Sequence, residues 1–140
     1  MILDSSILVK LVLAEPGSRE AKELVVSLLR DGYTLHTVDI ALAESLNAVW
    51  KHVVIHKDLE AEAVRDVLED LIRIYSKLGV LSTPELSEEA MEISLIHKIA
   101  VYDSLYIAAA RKLGTTLYTA DKRLHDESRG IASSRLLGSE

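Results

Sequence analysis

Four short aliphatic runs recur along this chain, and between them lie long stretches whose apolar residues repeat at helical spacing. The strand candidates are "MILDSS" at the N-terminus, "YTLHT" from Tyr33, "VLSTP" from Val80 and "TTLYTA" from Thr115. "PGSREAKELVVSLLRDG" predicts a helix started by Pro16 and stopped by Gly32. "VDIALAESLNAVWKHVVIH", residues 38–56, carries apolar residues at 42, 46, 49 and 53. "DLEAEAVRDVLEDLIRIYSKLG" predicts a second long helix, capped by Asp58 and ended by Gly79. "ELSEEAMEISLIHK" and "DSLYIAAARKLG" are helical, the latter closed by Gly114, and "DKRLHDES" is a short helix. The tail from Gly130 offers a fifth strand at a sheet edge. Strands separated by helices join through crossovers, not hairpins. The expectation is α/β: a mainly parallel central sheet of four to five strands, with helices on both faces.

At 140 residues the chain suits one domain, 1–140, with a real core. Aromatics are sparse and phenylalanine is absent, so that core must be aliphatic. The lack of cysteine excludes disulfides and thiolate metal sites and suits a reducing, cytoplasmic setting. Apolar runs such as "ILVKLVLA" are too short to span a bilayer, and no basic leader precedes the first of them. A net charge of −6 gives no broad nucleic-acid footprint, so a polyanion would need a local basic patch or metal ions.

In a parallel sheet, ligands bind beyond the carboxyl ends of the strands. Asp4 stands where the first strand ends and Asp121 where the fourth ends; Glu44 lies early in the helix after the second strand. The helix opened by Asp103 leads into the fourth strand, so its start returns to the same edge. Each acid also has an ordinary structural role open to it. Asp4, Asp103 and Asp121 precede or open helices and suit capping, and Glu44 fits a solvated helix face. Together they are harder to dismiss, because unpaired charges 4 Å apart repel by about 4 kcal/mol at an effective dielectric near 20. Compensation must come from protons, basic side chains or cations.

Oxygen donors without cysteine or clustered histidine favour Mg²⁺ or Mn²⁺ over Zn²⁺, and metal-assisted phosphodiester hydrolysis is the chemistry that follows. Ser6 and Thr119, each two residues from a site aspartate, are candidates to hold carboxylates or waters, beside the plainer reading of strand-end hydroxyls. Lys10, Lys122 and Arg123 lie near the acids and suit phosphate contact, though a solvated helix surface with ion pairs, such as Lys122 with Asp126 at i, i+4, is the simpler reading for each of them. His52 and His56 share that spacing without an HExxH pattern and read as surface residues. Other acid-rich α/β folds fit less well: "VLSTP" lacks a phosphoacceptor aspartate, and position 6 is serine where a dehalogenase-type phosphatase wants aspartate. Phosphate loops of the GxxxxGK[ST] or GxGxxG type are absent.

"ILDSSILVKLVLAE", "AESLNAVW" and "VYDSLYIAAARKLGTTLYTADKRL" resemble, in order, the motifs of the PIN domain, and most nearly the small VapC-like toxins of VapBC toxin–antitoxin pairs. The resemblance runs from Ile2 to about Leu124, with 52–100 matching in helix layout alone. It implies a three-layer PIN-like sandwich and an acidic site of Asp4, Glu44, Asp103 and Asp121 holding Mg²⁺ or Mn²⁺. Asp4 and Asp103 would be the foremost ligands, with Ser6, Asn47 and Thr119 as supporting polar residues. It further implies endoribonuclease activity on RNA, a homodimer, and silencing by a small antitoxin protein. Ser104 departs from the commoner alanine after the aspartate. A nuclease of RNA maturation shares the chemistry, and a non-catalytic RNA- or protein-binding module is the reading from a different class.

Overall fold

The structure, a computed structural model, describes residues 1–138; the last two positions of the 1–140 span lie outside the described residues. In chain order it contains β1 (Ile2–Leu3), α1 (Ser5–Val12), α2 (Ser18–Arg30), β2 (His36–Val38) and α3 (Ile40–Val54). A 3₁₀ turn at Ala61–Ala63 leads into α4 (Val64–Lys77), followed by β3 (Gly79–Leu81), α5 (Thr83–His97) and α6 (Val101–Leu113). β4 (Leu117–Thr119), α7 (Lys122–Glu127) and β5 (Ser134–Leu136) complete it.

The five strands lie in the order β3-β2-β1-β4-β5, and every neighbouring pair is parallel. The tail thus does add an edge strand. From β1 the chain steps outward to β2 and β3, then crosses back to place β4 on the other side of β1. Right-handed crossovers put α1–α4 on one face and α5–α7 on the other. The reversal between β1 and β4 opens a crevice beyond their carboxyl ends, the place where such sheets bind ligands.

Strands of two or three residues contribute little by themselves; burial of aliphatic side chains on both faces holds them. Ile2, Leu3, Val38 and Leu117 are fully buried, joined by Ile7, Leu8, Leu71, Leu86, Leu105 and Ile107 from the helices. At about 25 cal/mol per Å² of apolar surface removed from water, this aliphatic layer is the main stabilising contribution. α6 is the central helix: every residue from Asp103 to Ala110 is buried, and it packs on α5, β1, β2 and β4.

Several local signals behave as the sequence predicts. Gly114 closes α6 in the left-handed region, and Gly32 takes φ +85° just after α2. Others differ. α2 starts at Ser18 after a left-handed Gly17, not at Pro16. Asp58 does not cap α4; its carboxylate binds His52, and the helix enters through the 3₁₀ turn. Gly79 is no helix stop either. It pairs with His36 across β2 and β3, and a Cβ there would come within 2.3 Å of the His36 ring. Asp103 is not the cap of α6, since Ala100 holds that place and Asp103 sits in the first turn. Ser104 is not idle: it receives a hydrogen bond from Ser94 of α5 at 2.7 Å.

Candidate active site

Asp4 is nearly buried at the carboxyl end of β1 and has two tasks. Its Oδ1 caps α1 by accepting the Ile7 amide at 3.2 Å and also accepts the Ser6 hydroxyl at 2.6 Å; its Oδ2 accepts the Thr119 hydroxyl at 2.6 Å. Ser6 in turn accepts the Ala120 amide and Thr119 accepts the Asp121 amide, so the two hydroxyls tie β1 to the end of β4. These donors stabilise the anion, yet burial outweighs them. The Asp4 carboxyl is pushed up to about 6, and the nearby Asp121 charge adds to the rise.

Asp121 caps α7 by accepting the Arg123 amide at 2.9 Å. Glu44, on the face of α3 nearest the crevice, accepts the Tyr106 hydroxyl at 2.6 Å. That bond bridges helices from opposite faces of the sheet. Burial, with the Glu44 and Asp4 charges, drives the Tyr106 phenol far above its usual range, so it stays a donor. Asp103 reaches the edge from α6, where the helix N-terminus favours an anion. It is only 8% exposed and is bound by the Arg123 guanidinium.

Arg123 is the cationic centre of this edge. Its guanidinium bridges Asp103, Asp121 at 3.3 Å and Glu127 at 3.4 Å. Glu127 is a fifth carboxylate that sequence reasoning missed. Burial first, then hydrogen bonding to and repulsion from Asp103, push it up to about 7, and its buried Oε2 has no hydrogen-bond partner. The available signal was its i, i+4 position from Arg123 on α7. Tyr106 was also left without a role, although it lies three residues after Asp103.

Thus the four predicted acids occupy one sheet edge: Tyr106 holds Glu44, Thr119 joins Asp4 to Asp121, and Arg123 joins Asp121 to Asp103. Among the described residues no three acids or histidines close into a finished metal cage. The donor set is all oxygen, carries a deficit of positive charge, and suits a hard divalent cation that keeps several waters. Asn47 is exposed one turn beyond Glu44. Lys10 is not a free phosphate ligand, since its ammonium binds Glu15 at 3.0 Å and the Pro16 carbonyl at 2.7 Å. Lys122 pairs with Asp126 at 2.6 Å, as its spacing predicts. His52 is not a surface residue; its side chain is 18% exposed and lies between Glu15 and Asp58.

Residues 1–129 match the PIN domain family. The chain belongs to that family. Ribonuclease VapC3 of Pyrobaculum aerophilum is 33% identical over 127 residues, covering 91% of this chain and 93% of that protein. Two solved structures share the fold: a toxin–antitoxin complex from Klebsiella pneumoniae and the VapC20 toxin of Mycobacterium tuberculosis, which cleaves the sarcin–ricin loop. The first has a TM-score of 0.66 at 17% identity and covers 99% of this PIN chain and 98% of that one. The second has 0.65 at 19% and covers 94% and 95%. No single helix among the described residues is long and apolar enough to cross a membrane.

Proposed function

We propose that this PIN protein is a divalent-metal-dependent endoribonuclease, the toxin of a VapBC-type pair, working as a single cytoplasmic domain. The observation that carries the reading is the switch point itself. Asp4 and Asp121 end the adjacent strands β1 and β4, while Glu44 and Asp103 arrive from helices on opposite faces. The similarity to Ribonuclease VapC3 supports RNA as substrate.

Asp4, Asp103 and Asp121 would hold the ion, with Glu44 beside them. A bound Mg²⁺ or Mn²⁺ supplies an acidified water and neutralises charge on the phosphate. The chain's own residues do the rest. Ser6 and Thr119 fix both Asp4 oxygens, so the carboxylate cannot rotate away. Tyr106 fixes Glu44 through its hydroxyl and leaves the other Glu44 oxygen free to orient a water. Arg123 lies where a phosphate would meet the acids, and its fork suits phosphate oxygens as well as carboxylates.

A basic or apolar peptide of an antitoxin and a second copy of the chain are the proposed protein partners. Exposed apolar side chains on α3 (Trp50, Val54) and on α5–α6 (Leu95, Ile96, Tyr102) support such contacts. The test is cleavage of structured RNA by the purified chain with Mn²⁺ or Mg²⁺. Cleavage should vanish in EDTA and in Asp103→Asn, which should still melt within a few degrees of wild type. An Asp103→Asn protein that cuts as fast as wild type refutes the site.

A further inference from the structure

Beside the carboxylates, between α1 and α3, lies a pocket of about 310 Å³ that the proposed chemistry does not use. Ser5, Ser6, Ala120 and Asp121 form the wall it shares with the acidic edge; Val9, Lys10, Glu15, Ala48 and His52 form the rest. Two helix stripes lead into it. Glu44, Ala48 and His52 follow one another at i, i+4 and i, i+8 on α3, so the face that carries Glu44 continues to His52 about 12 Å further on. Ser6 and Lys10 stand in the same relation on α1.

We infer that this pocket is the subsite for the base of the nucleotide adjoining the scissile phosphate, with His52 as its specificity-determining wall. The inference rests on the ribonuclease reading above and names which part of that substrate is read. Three observations favour a base over a phosphate. First, the basic groups are already balanced: Lys10 and His52 face Glu15, and His52 also faces Asp58, at 2.7–3.0 Å. With Asp121 in the same wall, no net positive charge is left to draw a phosphate. Second, both His52 nitrogens are engaged, Nδ1 with Asp58 and Nε2 with Glu15. The ring meets the His56 ring at 5.2 Å with 61° between their planes and lines the pocket beside Val9 and Ala48. What it offers a ligand there is aromatic surface, and stacking on an aromatic face is how proteins hold unpaired RNA bases. Third, the Lys10 ammonium has three protons and two acceptors, which leaves one N–H for an acceptor on a base edge. The volume, at the low end of the ~300–1,000 Å³ of small-ligand sites, fits one flat ring system. The Lys10–Glu15–His52–Asp58 chain holds the ring in place.

The test measures kcat/KM on short RNAs in which each base flanking the cut is varied in turn, with Mn²⁺ present. Wild type should discriminate at one flanking position, and His52→Ala should flatten that position alone. On the best substrate it should lose about tenfold, chiefly through KM, the scale of one lost base–aromatic stack. His52→Phe keeps a ring but neither hydrogen bond and should retain most of the discrimination. Melting temperature and the Mn²⁺ midpoint, read on each variant, should stay near wild type. The inference is overturned if His52→Ala keeps the base profile, loses rate equally at every position, or behaves like His52→Phe. Wild type that cuts no RNA sinks the ribonuclease reading instead. The pocket is then judged by NMR with nucleoside 5′-monophosphates: shifts at Ala48 and His52 uphold a base site, while silence there, or a response to a basic peptide alone, overturns it.

Discussion

Two charged clusters share a border at Asp121, and they are built on opposite plans. On one side Lys10, Glu15, His52 and Asp58 form a chain in which a lysine and a histidine alternate with two carboxylates, each within 3.0 Å of its partner. On the other, Asp4, Glu44, Asp103, Asp121 and Glu127 have Arg123 as the one cation among the described residues bound between them. The first cluster is settled by its own members. The second leaves one carboxyl at about 6 and another at about 7, because burial and like charge oppose ionisation and nothing among the described residues fully answers them. A charge deficit that folding leaves standing marks the place where something from outside belongs.

The largest break in this comparison comes at its most buried acid. Asp4→Asn should reduce RNA cleavage by at least about 100-fold, the upper range for disturbing even a residue that only supports a metal ligand. A cleavage assay on Glu15→Gln shows whether the loss is peculiar to the unbalanced side: its kcat should hold, and what it loses should appear in KM, because Glu15 helps to hold the His52 ring.

pH sharpens the contrast in the metal-free protein. Asp4 keeps its proton to about pH 6 when folded, against an ordinary value of 3.8. Between those values the native state binds more protons than the unfolded one, so stability falls as pH rises and the full cost is present above pH 6. A shift of this size corresponds to roughly 3 kcal/mol. Glu127, raised in the same sense, extends the fall toward pH 7. Asp58 and Asp126 are shifted the other way, and they act below pH 4. His36 and the N-terminal ammonium, both lowered by burial, oppose the fall within the window, so the difference between wild type and Asp4→Asn isolates the carboxyl. Urea unfolding in EDTA should therefore show greater stability at pH 5 than at pH 7.5, and the difference should shrink in Asp4→Asn. An Asp4→Asn profile identical to that of wild type would refute the buried, unanswered charge.

Metal should restore what pH removes. At a hundredfold excess over Kd, Mn²⁺ binding to the native state alone adds about 2.7 kcal/mol. Melting temperature should rise with Mn²⁺ in wild type and in Glu15→Gln, and should stay flat in Asp103→Asn.

How much of this the sequence disclosed follows from the range of each interaction. Strand–helix alternation is local and periodic, so the parallel sheet could be read from it, including an edge strand in the tail. The four acids could be placed at one edge because, in a parallel sheet, every strand ends there and every helix that leads into a strand begins there. The errors lie where a residue answers to a distant neighbour. Gly79 looked like a stop at the end of α4, yet it is glycine because the His36 ring lies against it. Asp58 looked like a cap and serves His52 instead. Glu127 was passed over because its partner Asp103 is 24 positions away, and the partner of Lys10 went unnamed because Glu15 sits in a loop whose path has no periodic signature.

Arg123 gives the smallest effect and the finest test, because it is the cation the unbalanced cluster provides for itself. Its side chain is 60% exposed, and exposed pairs contribute only ~0.2–1 kcal/mol, so Arg123→Ala should cost little stability in EDTA. Its guanidinium nonetheless binds three of the five carboxylates, two of which are proposed to hold the ion. Any Mn²⁺ that enters must share or displace it. Removing it should therefore lower the Mn²⁺ midpoint by up to about fivefold, the equilibrium equivalent of one exposed pair. The KM for RNA should rise in the same variant, because the fork that meets the phosphate is gone. Opposite movement of the two constants is the signature. If the Mn²⁺ midpoint instead rises, Arg123 helps to hold the carboxylates for the ion, and its place among them is support, not competition.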